Sequence, residues 1–439
     1  MPTLEKIMKR LLTGLFLFVL AALTVPAQNI ASPTTTINPD PLPLPRMTQQ
    51  LTWFAGAGPS YGEGSVVTGS VTNNGFGWAR STFGYDTTNT DTFAWRAVQH
   101  GGPSSWDWTL ADKEMNFLQL LHLTVVVELQ QGGEDPPWAA GLSTNDYVAA
   151  KAAFINALAY RYGGRIWGIE VENEPSPGES GGSWKPGGYL AYDRHLAILA
   201  ASQPARAYTR LVGWACQGTF DVWLKYLLDR GLTNLCDAIS WHCYVQGGIS
   251  PGQPVESPLQ SHGSPDIYTG TMGEFMQWLH SQVGAMPILV DEIGLASEVP
   301  MRMAKVLIIL RASNATMCQL QTWSGGPAPG DLVAFDGASR RPFRHAVIAV
   351  WAAYWLGNDS LASSSVDGNT FIYTFGDRTF AWCLEGTLRP CTASGWTSVT
   401  DIYGHKTSPS VLTDAVTVFH GTGTLALTNF SSWRVLQMQ

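Results

Sequence analysis

Two apolar runs in this sequence end in acidic clusters. IWGIEV leads into Glu172-Asn173-Glu174-Pro175, and MPILV leads into Asp291-Glu292-Ile293-Gly294. A pair of carboxyl groups held by rigid elements can divide the work of breaking a glycosidic bond. One protonates the leaving oxygen, and the other meets the oxocarbenium-like carbon. A separation of about 5–5.5 Å permits a covalent intermediate and retention of configuration, whereas wider spacing admits a water. Glu174 and Glu292 are the expected pair. Asp291 is the alternative to Glu292, while Glu170 and Glu172 read as outward-facing or salt-bridged. Strict strand alternation would send Asn173 and Glu174 to opposite faces, so the chain must bulge or turn there.

The composition narrows the ligand. Charged residues make up 14% of the chain, and the net charge is −8 with no basic block. Soluble domains ordinarily carry about 25% charged residues. A nucleic-acid binder needs clustered positive charge, so that class is excluded. The 18 Trp, 14 Tyr and 17 Phe instead suit a neutral ligand that offers C–H faces and hydroxyls, as a carbohydrate does. About half of the tryptophans are expected in the core. With 45% hydrophobic residues the chain can bury that core, which excludes wholesale disorder.

The 439 residues are enough for a barrel of roughly 250–300 residues with a smaller partner. Between 51 and 357, short apolar runs alternate with helical stretches, the pattern of βα units around a parallel sheet. Strands are expected at 51–57, 76–83, 123–129, 166–173, 210–216, 237–244, 286–293 and 317–323. Helices are expected at 109–121, 146–162, 187–202, 219–230, 271–282, 299–312 and 342–356. Ser143 before the second of these helices and Gly163-Gly164 after it are start and stop signals. The Gly-rich segment 58–75 carries no helical stripe, so the first crossover helix is short or missing. The expected fold is α/β, a (β/α)₈ TIM barrel, whose site lies at the C-terminal ends of the strands. From 358 to 439 period-2 runs such as FIYTF, AVTVFH and TLALTNF indicate an antiparallel β-sandwich domain with a fixed interface to the barrel.

Residues 1–27 read as an export signal. Lys6, Lys9 and Arg10 precede the uncharged run Leu11 to Leu23, which is too short to span a membrane comfortably, and Val25-Pro26-Ala27 offers a cut. Residues 28–50 form an extended lead-in. A secreted or periplasmic chain with no membrane partner after signal removal is expected. In that oxidising setting Cys383 and Cys391 are the expected bridge among the six cysteines. No Cys or His spacing resembles a zinc site, and no metal or organic cofactor is expected.

The chemistry-bearing residues resemble a known group. Asn173-Glu174-Pro175 after the fourth strand, with Glu292 at the end of the seventh, is similar to clan A of the glycoside hydrolases. The likeness extends to Arg80 on the second strand, His242 and Tyr244 in a sixth-strand His-x-Tyr, and Trp323 on the eighth strand. The stretch 144–175 and the trailing β domain most resemble family 39 and its relatives; the short first crossover departs from that pattern. The resemblance implies a retaining β-glycosidase acting on a carbohydrate substrate. Glu174 would then be the acid/base and Glu292 the nucleophile. Arg80 and Tyr244 would hold Glu292 ionised, Asn173 would bond the sugar 2-hydroxyl, His242 would join the substrate-binding set, and Trp323 would form a floor under the sugar. Two other readings share these residues: a carbohydrate-binding protein on a catalytically dead barrel, and a transglycosylase.

Overall fold

The computed structural model describes residues 45, 47, 49–57, 76–81, 93–129, 135–175, 189–217, 221–244, 255–256, 270–294, 301–320 and 344–428. Eight parallel strands close into a barrel: β1 (Leu51–Ala57), β2 (Phe76–Ser81), β3 (Thr124–Leu129), β4 (Gly168–Val171), β5 (Arg210–Gln217), β6 (Ala238–Tyr244), β7 (Ile288–Gly294) and β8 (Met317–Leu320). Each pairs with the next, and β8 pairs with β1 to complete the ring. All eight lie where the apolar runs placed them. The segment expected as the short first crossover, 58–75, lies outside the described residues, as do the export signal and residues 28–44 of the lead-in.

Helices fill the connections: α1 (Trp95–Val98), α2 (Thr109–Leu120), α3 (Thr144–Tyr162), α4 (Tyr189–Ala201), α5 (Asp221–Asp229), α6 (Leu232–Leu235), α7 (Met272–Val283), α8 (Met301–Ala312) and α9 (Arg344–Leu356). The start signal at Ser143 acts as read, and the structure adds a second one on α7. Ser143 Oγ accepts the Asp146 N–H at 3.2 Å, and Thr271 and Glu274 form a reciprocal capping box on α7. Gly163 works differently from a left-handed stop. Its φ is −52°, and its missing side chain leaves room for Tyr208, which a Cβ would strike. Among the described residues no helix is long and apolar enough to cross a membrane.

The barrel interior is layered, and the layering places the site. Trp78, Val126, Val212, Ala238, Leu289 and Met317, from six strands, form one buried apolar cluster inside the ring. Two residues further along, side chains return to the same face. That step reaches Arg80, Glu128, Ser240, Asp291 and Gln319, with Glu170 likewise two residues beyond Gly168 at the start of β4. All of them are buried. A polar, mostly charged layer therefore rests on an apolar plug, at the C-terminal side where such barrels carry their chemistry.

Past α9 the chain folds into two antiparallel sheets. The larger holds β9 (Leu361–Asp367), β10 (Thr370–Phe375), β11 (Arg378–Cys383), β13 (Ser398–Asp401) and β15 (Thr417–His420). The smaller holds β12 (Arg389–Ser394), β14 (Val411–Leu412) and β16 (Thr424–Leu427). Alternation on β11 explains both of its contacts. Phe380 and Trp382 join the apolar cluster of the barrel helices, whereas Ala381 and Cys383 face the smaller sheet. Polar ties reinforce the junction. Arg302 on α8 donates twice to Glu385 at 2.6 Å, Trp355 on α9 donates to the Ile402 carbonyl at 2.8 Å, and Trp382 and Lys305 share Glu256.

The expected Cys383–Cys391 bridge is not formed. Both are buried free thiols in the core between the two sheets, on strands that do not pair with each other. Cys383 Sγ lies 3.6 Å from the Leu412 carbonyl and Cys391 Sγ 3.6 Å from that of Pro409, so they behave as small apolar fillers with weak donors. A chain ended at residue 357 would uncover the apolar faces of α8 and α9 that this domain buries. We expect it to aggregate on expression, measured as loss from the soluble fraction. A soluble, fully active barrel would contradict the structural role of the junction.

Candidate active site

The backbone at the end of β4 breaks the strand rule. Glu172 has φ 66° and Glu174 φ 44°, both left-handed and both costly for a residue with a Cβ. Glu170 points into the barrel. Glu172 would follow it there under alternation, but the turn sends it outward against α4. There it pairs with Arg194 at 2.7 Å, and His195 Nδ1 lies 3.3 Å away. His195 Nε2 accepts the Trp214 N–H, which fixes the other ring nitrogen as the donor to Glu172. The same turn brings Asn173 inward and Glu174 beside it. Hydrogen bonds from Asn173 N to Leu129 O (3.0 Å) and from Glu174 N to Ala215 O (2.7 Å) lock the twisted segment between β3 and β5. Bulges in β5, β6 and β7 do comparable work nearby, and on β7 they let both Asp291 and Glu292 contact the same arginine.

Arg80 is the hub. Its Nε and Nη2 donate to the two oxygens of Glu170 at 2.9 and 2.6 Å, and its Nη1 donates to Glu292 at 2.6 Å. Nη2 also reaches Asn173 Oδ1 at 2.8 Å, while Glu128 and Asp291 lie 3.3 and 3.4 Å from the guanidinium. Its backbone N–H donates to Gln319 from the adjoining side of the barrel. His242 bridges the upper carboxylates. Its Nδ1 lies 2.8 Å from Glu174 and 3.4 Å from Glu292, and its Nε2 faces Asp291 at 3.5 Å. Carboxylate oxygens of Glu174 and Glu292 lie within 4.8 Å of each other.

Exposure sorts these groups by role. The side chains of Arg80, Glu128, Glu170, Asp291 and His242 are fully covered, whereas that of Glu174 is 18% exposed and that of Glu292 7%. A ligand can therefore meet Glu174 and Glu292 but not the groups beneath them. Arg80 and His242, expected among the substrate contacts, act from below on the carboxylates. Asn173 belongs to the same cluster, and Arg80 takes its carbonyl oxygen. The Tyr244 side chain and Trp323 lie outside the described residues.

The charges beneath the pair are strongly coupled. Burial alone would raise the Glu170 carboxyl, but the Arg80 guanidinium outweighs it and holds Glu170 far below the ordinary carboxylate range. Asp291 moves the opposite way, pushed well up by burial and then by the charge of Glu170. Burial would likewise lower the His242 imidazole, yet Glu292, Glu170 and Glu174 around it raise it well above its usual value. Outside the barrel wall, burial opposes ionisation of Glu172, and the Arg194 charge wins and lowers it.

A carboxyl held below its ordinary value of 4.5 contributes stability that is fully present above that pH and is lost as the pH falls through the folded value. Glu172 and Glu170 both have this sign. Urea melts are expected to weaken as the pH falls below about 4.5, in part through these pairs. Glu172→Gln should flatten that decline and, by removing the charge that faces buried Arg194, cost about 3–5 kcal/mol at neutral pH. Equal acid sensitivity in variant and wild type would contradict the assignment.

Two triads here, Glu170–His242–Asp291 and Glu174–His242–Glu292, place one potential ligand atom from each residue within 4.8 Å of the others. Arg80 already supplies the cation for these carboxylates, donating to Glu170 and Glu292 at 2.6 Å. A divalent ion would have to displace or oppose it, so the donor set fits an arginine-centred site better than a metal centre.

No family model and no curated protein matches the sequence. Solved structures do match the fold. The chain is similar to a family 39 glycoside hydrolase from Bacteroides cellulosilyticus WH2, with 14% identity, a TM-score of 0.65, and 85% of this chain and 81% of that one covered. It is similar to a family 30 subfamily 8 xylanase from Clostridium acetobutylicum at 13% identity and TM-score 0.52, covering 85% of this chain and 97% of that chain. It also matches a monomeric beta-xylosidase from Caulobacter crescentus CB15 at 16% identity and TM-score 0.52, with 80% of each chain covered. At such identities the likeness shows a common fold.

Proposed function

We propose that this chain is a glycoside hydrolase that cleaves β-glycosidic bonds of a neutral oligo- or polysaccharide with retention of configuration. The observation that carries this reading is the approach of Glu174 and Glu292 to within 4.8 Å at the C-terminal ends of the barrel strands. An approach this close supports the short spacing of a double displacement over the ~6.5–9.5 Å that inversion needs for an intervening water. Structural neighbours described as glycoside hydrolases, a xylanase and a beta-xylosidase support the reaction class and make β-linked xylose the first sugar to test.

In this mechanism Glu292 attacks the anomeric carbon as a carboxylate. Arg80, 2.6 Å from one oxygen, keeps it ionised and turned toward the sugar. Glu174 starts protonated and delivers that proton to the leaving oxygen. After that proton has gone to the leaving group, Glu174 is a carboxylate and can take a proton from the incoming water. His242 fixes one Glu174 oxygen through a 2.8 Å contact, which leaves the other to handle the proton. Arg80 also orients Asn173 by its carbonyl oxygen, so the amide would donate to a sugar 2-hydroxyl. The Tyr244 hydroxyl and the Trp323 face complete the proposed set.

The exported, secreted or periplasmic location remains part of this proposal, on the strength of residues 1–27. A panel of aryl β-glycosides and plant and microbial polysaccharides tests the function. Release of aglycone or reducing sugar from at least one member is expected. Tight binding without turnover across the panel would instead mark a carbohydrate-binding barrel.

A further inference from the structure

Beneath the two glutamates lies an arrangement that the proposed mechanism does not use. Four acids, Glu128, Glu170, Asp291 and Glu292, lie within 3.4 Å of Arg80. The first three are fully buried. A single guanidinium on β2, with His242 on β6, cannot neutralise that many carboxylates when three of them are out of contact with water, so some of these acids must carry a proton.

The hydrogen bonds identify one. Asp291 Oδ1 accepts the Ser240 hydroxyl at 2.7 Å. Its other oxygen, Oδ2, is buried, and among the described residues no donor is directed at it. The nearest one, Arg80 Nε at 3.4 Å, spends its hydrogen on Glu170 at 2.9 Å. A buried carboxylate oxygen without a donor is costly. As a hydroxyl the same oxygen has an acceptor at hand, because Arg80 Nε lies 2.9 Å from Glu170 Oε2 and 3.4 Å from Asp291 Oδ2, so the two oxygens flank one N–H, and oxygens of the two carboxyl groups lie within 4.8 Å of each other. Two buried carboxyl groups that close are better served by one shared proton than by two charges.

We propose that Asp291 is a positioning residue kept as the neutral acid, donating its proton to Glu170 so that Arg80 serves one carboxylate fewer and can hold both Glu170 and Glu292. Its effect reaches the nucleophile through the arginine. The Asp291 hydroxyl relieves part of the charge on Glu170, and Arg80 can then turn Nη1 to Glu292 at 2.6 Å. The groups facing Asp291 are Arg80 from β2, Glu170 from β4, and Ser240 and His242 from β6, with Glu128 on β3 across the guanidinium. Only the link to Glu292 rests on the glycosidase reading.

The deciding experiment compares folding stability of wild type and Asp291→Asn from about pH 5 to pH 7, by urea denaturation. A group neutral in the fold and ionised in the unfolded chain releases one proton on unfolding. The folding constant of wild type should therefore fall about tenfold per pH unit relative to that of the variant. A ratio that stays flat or rises with pH would overturn the proposal, whatever the protein turns over. Should Asp291→Asn not fold, infrared spectra of wild type decide. A protonated-carboxyl C=O band that persists at about pH 8 and moves in Ser240→Ala is the expected result, and its absence is the contrary one. With an active substrate in hand, Asp291→Ala should move the acid limb of kcat/KM upward by about half to one pH unit as Glu170 draws Arg80 away. Asp291→Asn should bring the limb back. A limb unmoved in Asp291→Ala would contradict the positioning role.

Discussion

Replacing Glu292 by alanine is expected to reduce kcat by about 10⁴–10⁶-fold on every substrate, whatever its leaving group, since loss of a nucleophile acts on that scale. Glu174→Ala is expected to behave differently. It removes proton delivery and later base assistance, effects worth about 10²–10⁴-fold where they are needed. An aryl leaving group with a low pKa needs little protonation, so its glycosylation step should largely survive in Glu174→Ala, whereas cleavage of an unactivated glycoside collapses. Deglycosylation would then limit turnover, and the aglycone should appear as a burst equal to the enzyme present. Pre-steady-state release from a dinitrophenyl and an alkyl β-glycoside measures both effects. Glu174→Ala losing both substrates equally, with no burst, would contradict its role as acid/base.

The second large effect concerns Arg80. It is wholly buried and donates hydrogen bonds to Glu170, Glu292 and Asn173 at once. Arg80→Met leaves buried carboxylates without their cation, and breaking such a set costs about 3–5 kcal/mol, a large part of the 5–15 kcal/mol that holds ordinary domains together. Activity should be lost through kcat rather than KM, because no ligand reaches the guanidinium. Arg80→Lys separates charge from geometry. A single ammonium cannot grip Glu170 with two donors and still reach Glu292, so this variant should recover stability better than turnover. Chemical denaturation together with kcat and KM of both variants tests this. Wild-type stability in Arg80→Met would show that the acids beneath the site are neutral without it.

Much of this architecture is legible in the residue order. Apolar runs place all eight barrel strands, and Ser143 starts its helix as its hydroxyl predicts. The charged layer has a readable signal as well. Glu128 stands two residues after Val126 in an otherwise apolar strand, and Arg80 and Asp291 stand likewise after Trp78 and Leu289. In a parallel barrel that spacing returns to the interior, so an acid there faces inward and needs a partner. Glu170, read as outward or salt-bridged, is inward and paired with Arg80.

What order cannot supply is the local break from alternation. The left-handed backbone at Glu172 exchanges the faces of three consecutive residues, sending Glu172 to Arg194 and bringing Asn173 to Arg80. Such a conformation is imposed by the hydrogen bonds of β3 and β5 around it, not by the propensity of glutamate. His242 illustrates the same limit. Its residue type suggests a ligand contact, but its depth, set by the bulge where β6 meets β7, makes it a bridge between two acids. Proximity of Cys383 and Cys391 in sequence likewise says little about their pairing, since they sit on strands of different sheets.

The most direct test of the two-glutamate account is the anomeric form of the azide adduct made by each variant from an aryl β-glycoside. In Glu174→Ala the covalent intermediate on Glu292 still forms, and azide enters from the face the missing acid vacated. The product should be the β-glycosyl azide by proton NMR. In Glu292→Ala azide takes the place of the nucleophile on the opposite face and should give the α-azide. The reverse pairing of variants and products would mean that Glu174 is the nucleophile and Glu292 the acid, contradicting the account.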